Sequence, residues 1–155
     1  FFGGMDAVAG PMLKQMKQLG INAKFMGGDG ICSSELPKLA ADGMADEQVY
    51  CAEAGGVEGD QMAGMEKFRA DFKAKFGSDV QVYAPYVYDA VKVMANAMVT
   101  AGSADPAKYL PALKATNYKG VTGNIAFDEK GDIKNGALTL RTYKGGERIA
   151  ISVIR

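Results

Sequence analysis

Residues 1–30, FFGGMDAVAGPMLKQMKQLGINAKFMGGDG, decide how the rest of the chain is read. Phe1-Phe2 read as the end of a buried strand running into Gly3-Gly4. Met12, Leu13, Met16 and Leu19 recur at helical spacing, Pro11 suits the first turn of that helix, and Gly20 stops it. Residues 23–26 then read as a second short strand, which opens onto Gly27-Gly28, a lone carboxylate at Asp29, and Gly30. Two strands joined by a helix, each strand ending on a glycine turn, point to an α/β protein with a largely parallel sheet. In open sheets of that kind ligands bind at the carboxyl ends of the strands. A single acid on a glycine hinge there has four uses: a helix cap, a metal ligand, a catalytic base or a grip on a cation.

The alternation continues outward. Ser33 or Ser34 is placed to cap a short helix through Leu39, and residues 48–52 read as a strand that breaks at Glu53-Ala54-Gly55-Gly56. Beyond Asp60, a candidate cap, Met65, Phe68, Phe72 and Phe76 form one apolar stripe, with Arg69, Lys73 and Lys75 on other faces and Gly77 at the end. Residues 80–83 read as a short extended piece. Residues 85–101 read as a helix with Val87, Val91, Met94 and Met98 along one side. Asp105-Pro106 starts another, carrying Tyr109, Leu110 and Leu113. The tail changes period: Ile125 and Phe127 alternate, residues 138–143 read as a strand, Gly145-Gly146 mark a hairpin, and residues 149–154 return.

Composition narrows the chemistry. The 155 residues suffice for one ordinary domain, and 48% hydrophobic with 23% charged residues mark a globular chain. Lys plus Arg and Asp plus Glu both number 18, and this balance argues against nucleic acid or an anionic membrane surface as partner. No apolar run is long enough to cross a bilayer. The absence of His removes the commonest general base, and two Cys are too few for a cysteine zinc cluster. Neither glycine turn carries a nucleotide fingerprint, so no cofactor is expected. Asp128-Glu129-Lys130-Gly131-Asp132 has Lys130 where a calcium loop needs oxygen, so the expectation there is a polar turn with Gly131 at positive φ and no metal. The nine Met fall mostly on helical stripes, as core filling. Cys32 and Cys51 flank loop-like stretches and stand open between two buried thiols and a disulfide. The chain begins at Phe1, inside an apolar stretch, and reads as a piece of something longer.

Residues 1–30, with YAPYVYDAVKVMANAM (83–98) and YKGVTGNIAFDEKGD (118–132), resemble the periplasmic branched-chain amino-acid-binding proteins, the type I substrate-binding proteins of ABC importers. The resemblance covers essentially the whole chain and corresponds to the carboxyl-terminal part of a full-length member. It implies a type I periplasmic-binding-protein fold, flavodoxin-like with flanking helices, in an incomplete two-lobe architecture. Residues 1–54 would be a second-lobe segment, 55–123 a first-lobe segment, and 124–155 the crossover and terminal hairpin returning to the second lobe. It also implies a periplasmic location, a small amino acid as ligand, the importer's membrane subunits as partners, and hinge closure at Gly55-Gly56.

By that resemblance Asp29 receives the ligand's α-ammonium, a role that suits a lone carboxylate on an open glycine turn. Met5 packs on the ligand, Tyr83 lines the side-chain pocket, and Asp6 lies adjacent. An oxidising periplasm favours a disulfide between Cys32 and Cys51. The function implied is capture and delivery without bond chemistry. Two alternatives stand beside it. One is an oligomeric scaffold that has lost amino-acid binding, with segments before and after Gly55-Gly56 packed on different copies. The other is an enzyme on a flavodoxin-like fold, with Asp29 and Asp6 as acid and base.

Overall fold

The computed structural model describes residues 1–56 and 61–155. In chain order its elements are α1 (Asp6–Gln18), β1 (Phe25–Gly27), α2 (Leu36–Ala40), β2 (Val49–Ala54), α3 (Gln61–Phe76), α4 (Ala84–Ala101), α5 (Pro106–Lys114), β3 (Asn117–Lys119), β4 (Asn124–Ala126), β5 (Leu138–Lys144) and β6 (Glu147–Ile154). They fall into two units, one of residues 1–56 with 136–155, the other within residues 57–135.

The first unit is built on a sheet of order β1-β2-β5-β6. β1 lies parallel to β2, with Phe25 opposite Val49 and Gly27 opposite Cys51. Phe2 extends the parallel part by a bridge to Gly27. β5 joins β2 antiparallel, and β6 returns antiparallel to β5. The hairpin turn holds Gly145 and Gly146 at φ of 60° and 77°, the left-handed pair that a two-residue connection requires. The sheet is therefore mixed: parallel through Phe2, β1 and β2, and antiparallel where the terminal hairpin adds to it.

The core of this unit gathers Ala9 and Leu13 of α1, Phe25 of β1, Leu36 and Ala40 of α2, Val49 and Cys51 of β2, and Tyr143 of β5. Asp6 opens α1, its Oδ1 accepting the Ala7 N–H at 2.7 Å, and an acid there suits the positive helix end. Pro11 consequently lies inside α1 rather than in its first turn. Ser33 Oγ accepts the N–H groups of Glu35 and Leu36 at 3.2 and 3.1 Å just ahead of α2, while the N-cap position itself is Glu35. The break expected at Glu53 does not occur. β2 runs on through Ala54, with Glu53 opposite Thr139 and Ala54 opposite Leu138.

In the second unit α3 and α4 meet through rings, Phe68 and Tyr88 lying 5.1 Å apart between centroids. Met65 is buried, whereas Phe76, at the end of the same stripe, is 59% exposed. The buried face of α4 is not the most apolar one. Pro85, Asp89, Val93 and Ala97 are covered, while Val87 and Val91 face outward. Residues 80–83 are not extended but turn into α4, with the Ala84 N–H donating to Gln81 O at 3.1 Å. Asp105 caps α5 as expected, accepting the Ala107 N–H at 3.0 Å ahead of Pro106. β4 stays paired with β3, Ile125 opposite Tyr118, and the division between units falls after residue 135. Asp128 Oδ1 accepts the N–H groups of Lys130 and Asp132, both at 2.9 Å, in the polar turn expected there, and Gly131 has φ of 91°. The candidate cap Asp60 lies outside the described residues.

Candidate functional site

β1 ends at Gly27 and the chain enters a single 3-10 turn, Asp29–Ile31, closed by the Cys32 N–H donating to Asp29 O at 2.9 Å. Asp29 is exposed at its start. Beside it, Gly3-Gly4-Met5-Asp6 lead from Phe2 into α1. A Cβ at Gly30 would lie 2.6 Å from Gly4 O and 2.8 Å from Met5 Sδ, so only glycine admits this contact. The two glycine turns thus abut at the carboxyl edge of the parallel strands, with Met5 Sδ against Gly30, the residue after Asp29. Met5 is 54% exposed. A Cβ at Gly28, the residue before Asp29, would meet nothing within 4 Å. Asp6 is engaged within the fold. Its Oδ1 accepts the Ala7 N–H, and its Oδ2 accepts the Ser33 hydroxyl.

Behind the turn, the sheet holds it at successive residues. Cys32 and Cys51 form a disulfide with a Cα–Cα distance of 5.5 Å. The Tyr143 hydroxyl lies 2.8 Å from Ile31 O and 2.9 Å from Ser33 O. Burial pushes that phenol's pKa up, Glu53 and Asp6 add to the shift, and Arg148 and Arg141 oppose it. The Arg148 guanidinium donates to Cys32 O, and to Glu53 Oε2 at 2.5 Å. Arg141 Nε donates to the other oxygen of Glu53. Glu53 is 8% exposed, and a carboxylate so buried is tolerable because two guanidiniums neutralise it.

Sequence reasoning missed Glu53, Arg141, Tyr143 and Arg148 as parts of this arrangement. The one available signal was alternation: Cys51 with Glu53, and Arg141 with Tyr143, are two apart and share a face of their strands. Asp89 was missed likewise. It is 1% exposed, and its carboxylate accepts from Val121 N, Thr122 N and Thr122 Oγ1.

Tyr83 belongs to the other unit, where it precedes α4 and is 45% exposed. Gly55 and Gly56 are anchored at the end of the first unit. The Gly55 N–H donates to Ala137 O, and the Thr139 hydroxyl donates to Gly55 O, both at 2.8 Å. The division between units follows Gly56. Among the described residues, no group of three or more Cys, Asp or Glu is placed to hold a metal.

Residues 1–147 match the periplasmic binding protein family. A leucine-, isoleucine-, valine-, threonine- and alanine-binding protein of Pseudomonas aeruginosa is 38% identical over 141 residues, 90% of this chain and 36% of that protein. Leu/Ile/Val-binding protein homolog 1 of Brucella abortus is 38% identical over 147 residues, 94% of this chain and 38% of that protein. The chain therefore spans well under half the length of these relatives. A branched-chain amino acid transporter substrate-binding protein of Streptococcus pneumoniae, solved with isoleucine, superposes with a TM-score of 0.78 at 25% identity, over 98% of this chain and 43% of its own. A leucine-binding protein of Thermotoga maritima superposes with a TM-score of 0.77 at the same 25% identity, over 98% and 43%. All four names describe binding proteins rather than enzymes, and the acid–base reading of Asp29 and Asp6 is set aside with them. The match runs over nearly the whole sequence and the observed fold agrees with it, so this chain belongs to the periplasmic binding protein family.

Proposed function

We propose that the chain is part of the amino-acid-binding component of an ABC importer. It acts outside the cytoplasmic membrane on a branched-chain or related small amino acid. The observation that carries this is the setting of Asp29: an exposed carboxylate on a turn anchored from behind, with open space beside Gly28. An exposed carboxylate on a turn that the sheet anchors pairs well with an α-ammonium through a charge-assisted hydrogen bond. The half-exposed Met5 offers an apolar contact next to it, and Tyr83, half-exposed ahead of α4, is the aromatic residue proposed for the side-chain pocket. Asp6 contributes indirectly, by holding Ser33. Gly55-Gly56, where the first unit gives way to the second, is the proposed hinge. Delivery would be to the importer's membrane subunits, with no bond made or broken. The leucine, isoleucine and valine named for the relatives support this choice of ligand class.

Calorimetric titration of the intact protein with leucine, isoleucine and valine tests the proposal. Asp29→Ala should weaken binding by about 2–5 kcal/mol, as for removing one partner of a desolvated charge pair. An unchanged dissociation constant would remove Asp29 from the site. A second reading, the oligomeric scaffold, draws on Leu138 and Ile154. These two residues pair across the terminal hairpin and are 50% and 57% exposed, and Ile154 lies on β6, the outer strand of the sheet, whose free edge could recruit another copy. Light scattering that finds an oligomer, with no heat from any of the three amino acids, would favour it over the first.

A further inference from the structure

We propose that Arg148 is a positioning residue: held by Glu53, it fixes the Cys32 carbonyl and with it the turn that presents Asp29. Its purpose rests on the ammonium-binding reading of Asp29 given above. The turn Asp29–Ile31 is only three residues long, and its own hydrogen bonds are Ile31 N to Gly28 O at 3.4 Å and Cys32 N to Asp29 O at 2.9 Å. A lone 3-10 turn with such bonds is weakly determined by itself. The sheet behind it supplies what the turn lacks. The Tyr143 hydroxyl, with its single proton, lies within hydrogen-bond reach of both Ile31 O and Ser33 O, and Arg148 donates to Cys32 O between them. Those side chains, Tyr143 and Arg148, sit directly opposite each other in register. The disulfide from Cys51 ties the middle residue of the same three.

Glu53 makes the Arg148 contact a fixed one. The carboxylate and both guanidiniums are mostly covered, with side-chain exposures of 10% for Glu53, 24% for Arg141 and 22% for Arg148. Arg148 Nη1 serves Glu53 and Cys32 O together. A planar guanidinium clamped by a carboxylate keeps its N–H directions, whereas the ammonium of a lysine rotates freely. Three separate anchors on three consecutive residues hold the turn in one conformation more firmly than its own two bonds do. Such over-determination is what a preorganised ligand-facing group needs, because less ordering is then left to be done on binding.

The test uses Arg148→Met and Arg148→Lys in the intact protein, at a temperature where circular dichroism shows the variants folded. Without ligand, the Cys32 amide should exchange with solvent about tenfold faster in Arg148→Met, while amides of β1 and β2 stay within about twofold of wild type. Arg148→Lys should shift the Cys32 amide in the same direction by less, and it serves as the variant if Arg148→Met does not fold. For affinity, Arg148→Met should weaken leucine binding by about tenfold when Asp29 is present and by less than about twofold in an Asp29→Ala background. Unchanged Cys32 exchange, or an equal loss of affinity in both backgrounds, overturns the positioning role. Full affinity in Asp29→Ala alone overturns the ammonium reading. Accelerated exchange at Cys32 would then still support Arg148 as the anchor of the turn.

Discussion

Replacing Asp89 probes a contact that no local pattern announces. Its carboxylate is 1% exposed and receives three hydrogen bonds from the loop between β3 and β4: Val121 N at 3.1 Å, Thr122 N at 2.8 Å and Thr122 Oγ1 at 2.6 Å. Gly120 lies so close that an added Cβ would stand 2.3 Å from Asp89 Oδ2. Asp89→Ala orphans two backbone N–H groups, at ~1–3 kcal/mol each, which places the cost between about 2 and 6 kcal/mol. Val121 and Thr122 are half-buried, so a small opening lets water reach their amides. The lower half of that range is therefore expected, about 3 kcal/mol. Asp89→Asn keeps the shape and one acceptor but turns an NH2 group toward an N–H, and should cost about 1–2 kcal/mol. Urea unfolding followed by far-ultraviolet circular dichroism, with hydrogen exchange at Val121 and Thr122, measures both variants. The expected order of stability is wild type, Asn, Ala. An alanine variant within about 0.5 kcal/mol of wild type, the range of an ordinary surface substitution, would show that the loop does not depend on this carboxylate.

Two further predictions concern the first unit. Removing the disulfide through Cys32→Ser with Cys51→Ser releases a loop closed by residues 19 apart. In the chain-entropy picture a loop of that size is worth about 3 kcal/mol, so the urea midpoint should fall by a matching amount; an unmoved midpoint would contradict it. Stability should also decline at alkaline pH because of Tyr143. Burial raises its pKa in the folded chain above the ordinary 10.0, so the unfolded chain loses its phenol proton first as pH rises. The contribution is whole below pH 10.0 and drains away above it, and Tyr143→Phe should flatten that decline when midpoints are compared across the range.

Much of the fold was legible because its signals are local. Gly20 and Gly77 stop helices, Asp105-Pro106 starts one, and Gly145-Gly146 turn the hairpin, each through backbone geometry within a few residues. The same reasoning placed Asp29 at a strand end on a glycine turn, which is where it lies. It went astray wherever the answer depended on what covers a face. The apolar residues Val87 and Val91 of α4 face outward, and the side carrying Asp89 is buried. The residues from Glu53 to Gly56 read as a break, yet β2 runs through Glu53, whose carboxylate is buried between two guanidiniums.

By itself, then, the sequence determined the α/β class, the order and rough extent of the helices and of the hairpin strands, and the glycine turn that carries Asp29, but not β3, and it read an extended piece at 80–83 that is not there. Only the tertiary structure decided which helix face goes inside, that β2 continues through Glu53, and how the Asp29 turn is held. The physical reason is reach. Period, cap and turn chemistry act over a few residues, whereas burying a charge depends on partners that the fold brings from far away. Glu53 meets Arg141 and Arg148 from 88 and 95 residues along the chain, and Asp89 meets Thr122 from 33. Neither carboxylate could be placed in the interior until those donors were there to neutralise or hydrogen-bond it.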